Sequence, residues 1–155
     1  MGFTSLSIRV AGIGETRPVP ADPRSIPEMV LESVEQALAD GGLTYADIDA
    51  VVTASVDMFD GLTASNIALT EVVGAVMKPE TRISADGLAA FIHGACQLAA
   101  GSYRRVLIVA HCKPSMADFQ TLTQWVMDPI HLQPLEVDFL TCAALQAQVL
   151  AEQLP

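Results

Sequence analysis

Several features are scarce in this chain, and each scarcity excludes something. No uninterrupted apolar run approaches the roughly 18 residues needed to cross a bilayer. Cations are few: 8 Lys and Arg stand against 18 Asp and Glu, a formal charge of −10. Such a chain repels phosphate backbones and anionic lipid headgroups, which argues against nucleic acid and membrane partners. Cysteine is limited to Cys96, Cys112 and Cys142, an odd number with no metal-ligand spacing. That pattern suits buried thiols in a reducing, cytoplasmic setting better than a disulfide framework or a zinc site. The opening Met1-Gly2-Phe3-Thr4-Ser5 has neither the basic region nor the apolar stretch of a signal peptide. Gly2 also lacks the basic context that favours myristoylation. No repeat and no low-complexity segment is visible.

What is abundant is apolar surface. Over 155 residues, 51% are hydrophobic, enough for one domain with a real core. Ser7 to Gly14 reads as a first strand, and Pro18, Pro20 and Pro23 make the next stretch an ordered loop. Ser25-Ile26-Pro27-Glu28 forms a capping box ahead of a helix striped by Met29, Val30, Leu31, Val34, Ala37 and Leu38. Gly41-Gly42 stops that helix. Asp49 to Val56 reads as a second strand, Thr63 to Val73 as a shorter helix, and Glu80 to Ser84 as a brief third strand. Gly87 to Ala100 reads as a helix and Arg105 to Ala110 as a fourth strand. A proline-broken loop region spans 113–137, and an amphipathic helix runs from Asp138 to Leu154. Strands alternating with helices predict an α/β fold: a mostly parallel sheet with helices on both faces.

The candidate sites follow from that layout. Gly12-Ile13-Gly14 looks like the start of a dinucleotide fingerprint, but the prolines prevent a helix from opening on a pyrophosphate, so a tight strand exit is the stronger reading. Ser84 stands where a strand meets a helix, a position that suits a nucleophile. A hydroxyl there needs a base within reach, and the Asp86 carboxylate would oppose an oxyanion. Capping of the following helix by Ser84 or Asp86 is therefore favoured over catalysis. His93, among Gly94, Ala95 and Cys96, reads as a packed, hydrogen-bonded side chain. His111 is more suggestive, because it leaves the fourth strand where open α/β sheets place their sites. His131 reads as solvated. Phe119, Leu122, Trp125, Val126 and Met127 form an apolar cluster that covers the sheet, meets a partner protein or lines a ligand mouth, the first two being favoured.

Together these segments resemble the N-terminal half of the thiolase superfamily, closest to the sterol-carrier-protein-type and lipid-transfer-protein-like thiolases. Val10-Ala11-Gly12-Ile13-Gly14-Glu15-Thr16 is similar to their first strand and turn, and Leu43 to Val52 to their entry into the second strand. Their nucleophile segment, Asn-Arg-Leu-Cys-x-Ser-Gly, falls in register with Thr81-Arg82-Ile83-Ser84-Ala85-Asp86-Gly87, and a later family glycine with Gly101. His111-Cys112-Lys113-Pro114-Ser115-Met116 loosely matches the family's Gly-Gly-Val-Glu-Ser-Met, and 128–147 resembles the close of its loop region.

The resemblance implies a three-layer thiolase-like half-domain over 1–155, its mostly parallel sheet of a five-stranded type, acting on acyl-coenzyme A or lipid-type substrates. It places Ser84 where the family has its cysteine. The sequence holds no counterpart of the family's C-terminal half, with its Gly-His-Pro histidine and second cysteine. The expectation is thus a non-catalytic or partner-dependent subunit. Its partner would be a second copy, forming a homodimer, or a complementary thiolase-like subunit. The third helix, with Leu88, Ala89, Ile92, Ala95, Cys96 and Ala99, would be the surface to be covered, and the strand near Arg82 would pair across a dimer axis. The alternative is an acyltransferase or retro-aldolase subunit that brings Ser84, His111 or Tyr103 to a shared site. Coenzyme A itself is disfavoured by charge. Lys113 is the single cation of 113–138, against Asp118, Asp128, Glu136 and Asp138.

Overall fold

A computed structural model describes residues 8–60 and 65–153. Its centre is a parallel sheet of three strands, β1 (Ala50–Ala54), β2 (Glu80–Ile83) and β3 (Val106–Ala110), in the order β2-β1-β3. Among the described residues four α-helices accompany it: α1 (Ile26–Asp40), α2 (Gly87–Ala99), α3 (Phe119–Trp125) and α4 (Phe139–Gln153). Every residue of β1 is buried, as a central strand covered on both faces requires.

The period of two along the strands sorts the core into two layers. Val51, Leu107 and Val109 meet the α1 stripe of Ile26, Val30, Val34 and Leu38, together with Leu69 and Val73. Val52 and Ala54 face the other way and meet Ala90 of α2, flanked by Ile83, Val106 and Ile108. Gly94 brings α2 close to the sheet, since an added Cβ would lie 2.7 Å from Cδ1 of Ile108. The expected α/β sandwich, with helices on both faces, is present.

Local chemistry explains α1. The Glu28 carboxylate accepts from the Ser25 backbone N–H at 2.7 Å, and the Ser25 hydroxyl accepts from the Glu28 N–H at 3.4 Å. Pro27 lies in the first turn, where its missing N–H costs nothing.

Five expectations are corrected. The sheet has three strands among the described residues, against a five-stranded type. Residues 8–14 form no strand, and Ser7 lies outside the described residues. Instead this segment runs along α1, with the Ile13 N–H donating to Asp40 at 3.0 Å and the Glu15 N–H to Gln36 at 3.2 Å. Thr63–Val73 is not an α-helix. Ser65–Leu69 is a 3₁₀ turn, residues 63 and 64 are outside the described residues, and the segment closes at Gly74 with φ +66°. Its β-branched Thr70, Val72 and Val73 are weak helix formers. The loop region 113–137 contains α3, capped by Asp118, whose carboxylate accepts from the Gln120 N–H at 3.2 Å. The thiols are not buried: Cys96 and Cys112 are exposed and Cys142 is half-buried, all three unbridged.

Candidate functional site at the carboxyl edge of the sheet

In a parallel sheet all strands end on the same side, and that edge gathers the loops able to hold chemistry. The ladder continues one residue past the strands. The Ser55 N–H donates to the Ile83 carbonyl at 3.2 Å, and the His111 N–H donates to the Ala54 carbonyl at 3.1 Å. Ser84, Ser55 and His111 therefore stand abreast. Neighbouring strands are about 4.8 Å apart, so the backbones of Ser84 and His111 are separated by two spacings, roughly 10 Å.

The two candidate catalytic residues are not brought together. Ser84 is exposed at a bend just beyond β2. His111 is turned into the protein, its side chain 7% exposed, with Nε2 3.4 Å from Oδ2 of Asp60. Burial pushes the His111 pKa below its usual value, outweighing the upward pull of Asp60 and Asp57. Asp60 is fully buried and also accepts from the backbone N–H of Lys113. It thereby ties the turn after β1 to the exit of β3, which offsets the cost of burying a carboxylate.

Asp86, rather than Ser84, caps α2: its carboxylate accepts from the Ala89 N–H at 2.9 Å. The Asp86 charge sits at the positive end of that helix, two residues from Ser84. Ser84 thus lies beside an anion, the reverse of what a developing oxyanion needs.

Next to His111, a cleft of about 130 Å³ is bordered by Thr16, Met29, Ser33 and Lys113. Cofactor-sized sites run to about 300 Å³ and above. The Lys113 ammonium donates to the Arg24 carbonyl. Arg24 pairs in turn with Asp22 at 2.6 Å and with Glu32. Asp22, held by Arg24, has its pKa lowered to about 2. Partial desolvation and the Asp60 charge push the Cys112 thiol pKa up, the opposite of what activates a thiol.

The remaining candidates are dispersed. His93 is half-buried and lies 3.1 Å from Gln97 on the same helix. His131 is on the surface, hydrogen-bonded to Asp128. Tyr103 is half-buried in the turn between α2 and β3. The apolar cluster is split: Leu122 is buried, while Trp125 and Val126 are exposed. Asp60 is the residue that reading the sequence missed. An acid a few positions past the end of a central strand was the available signal, masked by the neighbouring polar turn.

No family model and no curated protein matches this chain. Among solved structures it is similar to 3-oxoacyl-[acyl-carrier-protein] synthase III from Aquifex aeolicus VF5. The TM-score is 0.53 at 18% identity, over 65% of this chain and 35% of that one. The matched region therefore spans about a third of that enzyme's length. Such a likeness establishes the architecture, and the fold of this chain is thiolase-like.

Proposed function

We propose that this chain is a catalytically incomplete thiolase-like subunit that works within an assembly, in a pathway handling acyl-coenzyme A or lipid-type substrates. One observation carries the reading. Ser84 is exposed beside the capping Asp86, whereas His111 faces Asp60 on the far side of β1. A hydroxyl needs a base within hydrogen-bond reach to attack an acyl group, and that pair is not assembled here.

Charge supports the same reading for coenzyme A. The net charge of −10 and the engaged ammonium of Lys113 oppose a ligand with several phosphates. A second reading is favoured by the alignment of Ser84, Ser55 and His111 along the carboxyl edge of the sheet. Ser84, being accessible, could serve a base supplied by another chain in an acyltransferase or retro-aldolase. The test is mass spectrometry of the purified chain after incubation with acetyl- and longer acyl-coenzyme A. No adduct on Ser84 and no turnover are expected. An acyl adduct that disappears in Ser84→Ala would overturn the proposal.

A further inference from the structure

The cleft beside His111 forms where three stretches distant in sequence meet: the segment laid along α1, the first turns of α1, and the exit of β3. Its walls have two characters. Ile26, Met29 and Val30 of α1 and Ala110 of β3 supply hydrocarbon, whereas Thr16, His111 and Lys113 supply polar groups. Sites for small molecules combine apolar walls with a few convergent polar groups in this way. The outer wall is fastened, because the Glu15 N–H next to Thr16 is held by Gln36 of α1.

Lys113 gives the cleft its sign. Its ammonium has three N–H donors and spends one on the Arg24 carbonyl, just ahead of Ile26 in the wall. Among the described residues no carboxylate lies within ion-pair distance of it, in a chain with 18 acidic side chains. The acids around the start of α1 are committed elsewhere: Asp22 and Glu32 to Arg24, and Glu28 to Ser25. Asp60 faces His111 and accepts from the backbone N–H of Lys113. One ammonium with spare donors balances one negative charge, and it cannot balance the several phosphates of a coenzyme.

We propose that this cleft binds a short-chain monocarboxylate, its carboxylate at the Lys113 ammonium and its alkyl chain against Ile26, Met29, Val30 and Ala110. Size sets the chain length. The cleft measures about 130 Å³. An apolar cavity of about 150 Å³ holds benzene, so acids of about four or five carbons fill this one. Phosphate or sulfate would leave the hydrocarbon walls unused. An amine would meet a like charge, and a neutral amide would forgo the charge-assisted hydrogen bond. The inference goes beyond the subunit reading and does not depend on it.

The test is two-dimensional NMR of the isotope-labelled full chain, titrated at neutral pH and low ionic strength. Butyrate should shift amides around Thr16, Met29, Ala110 and Lys113, with a Kd on the order of 1 mM, a modest demand per non-hydrogen atom. Butyramide, of the same shape without the charge, should bind at least about tenfold more weakly. Affinity should rise from acetate to pentanoate and then level off, octanoate being no tighter. Lys113→Met should weaken butyrate at least about tenfold and leave butyramide unchanged, whereas a merely structural loss would weaken both. Arg104→Met, which removes an equal charge from an exposed site elsewhere, should alter neither. No saturable shift up to about 10 mM butyrate overturns the proposal. So does equal binding of butyrate and butyramide, or an Arg104→Met loss equal to that of Lys113→Met. Affinity that keeps rising through octanoate, with shifts on α2 and α4, would overturn it in favour of adsorption on exposed apolar helices. An acyl adduct on Ser84 would sink the subunit reading without touching these binding results.

Discussion

Asp60 lies 3.4 Å from His111, its Oδ2 facing Nε2, and both side chains are withdrawn from solvent. The pair fastens the segment after β1 to the exit of β3, helped by the Lys113 N–H on the other carboxylate oxygen. Ser84, by contrast, stays exposed at the bend beyond β2.

This pair predicts an acid-sensitive stability. The folded-state pKa of His111 lies below its unfolded value of about 6.5. The unfolded chain therefore binds more protons as the pH drops through that region. The His111 contribution to stability is fully present above about pH 6.5 and is lost as the pH falls through the folded value. Urea unfolding at successive pH values should show this slope, and His111→Gln should flatten it. An unchanged slope in His111→Gln would refute the assignment.

The start of α2 gives a second expectation. Asp86→Ala removes the cap and should destabilise the fold by about 1 kcal/mol. Ser84→Ala, at an exposed bend, should change stability by less than about 0.5 kcal/mol. Denaturant midpoints at constant slope would separate the two. Equal losses would mean that Ser84 shares the capping role.

A third concerns the stretch that lies along α1. A Cβ at Gly14 would sit 1.9 Å from the Ser33 carbonyl oxygen, and one at Gly12 would sit 2.2 Å from that of Ala37. Backbone cannot yield as a flexible side chain can. Gly14→Ala should cost about 1–3 kcal/mol, as overpacking does, and should speed proteolysis before Arg24. A Gly14→Ala protein as stable as its parent would show that this segment does not dock on α1.

Much of the architecture was legible because it depends on near neighbours. The Ser25/Glu28 box, the α1 stripe and the β-branched run of β1 each act within a few residues, and each produced the element it announced. The candidate site was less legible. His111 was correctly placed at a strand exit, but nothing near it in sequence names Asp60, whose tie to Lys113 joins positions 53 apart. The N-terminal segment has strand-like composition. A strand also needs a free edge beside it, and the segment lies against α1 instead.

By itself, then, the sequence determined the helices with strong caps, the parallel α/β order and the anionic character. These follow from capping chemistry, side-chain periodicity and charge, which operate locally or by sum. The tertiary structure decided which way His111 turns, that Asp86 rather than Ser84 ends α2, and which apolar helices stay uncovered. Those outcomes depend on where distant segments are packed, because desolvation and hydrogen-bond geometry are settled only when the partners meet.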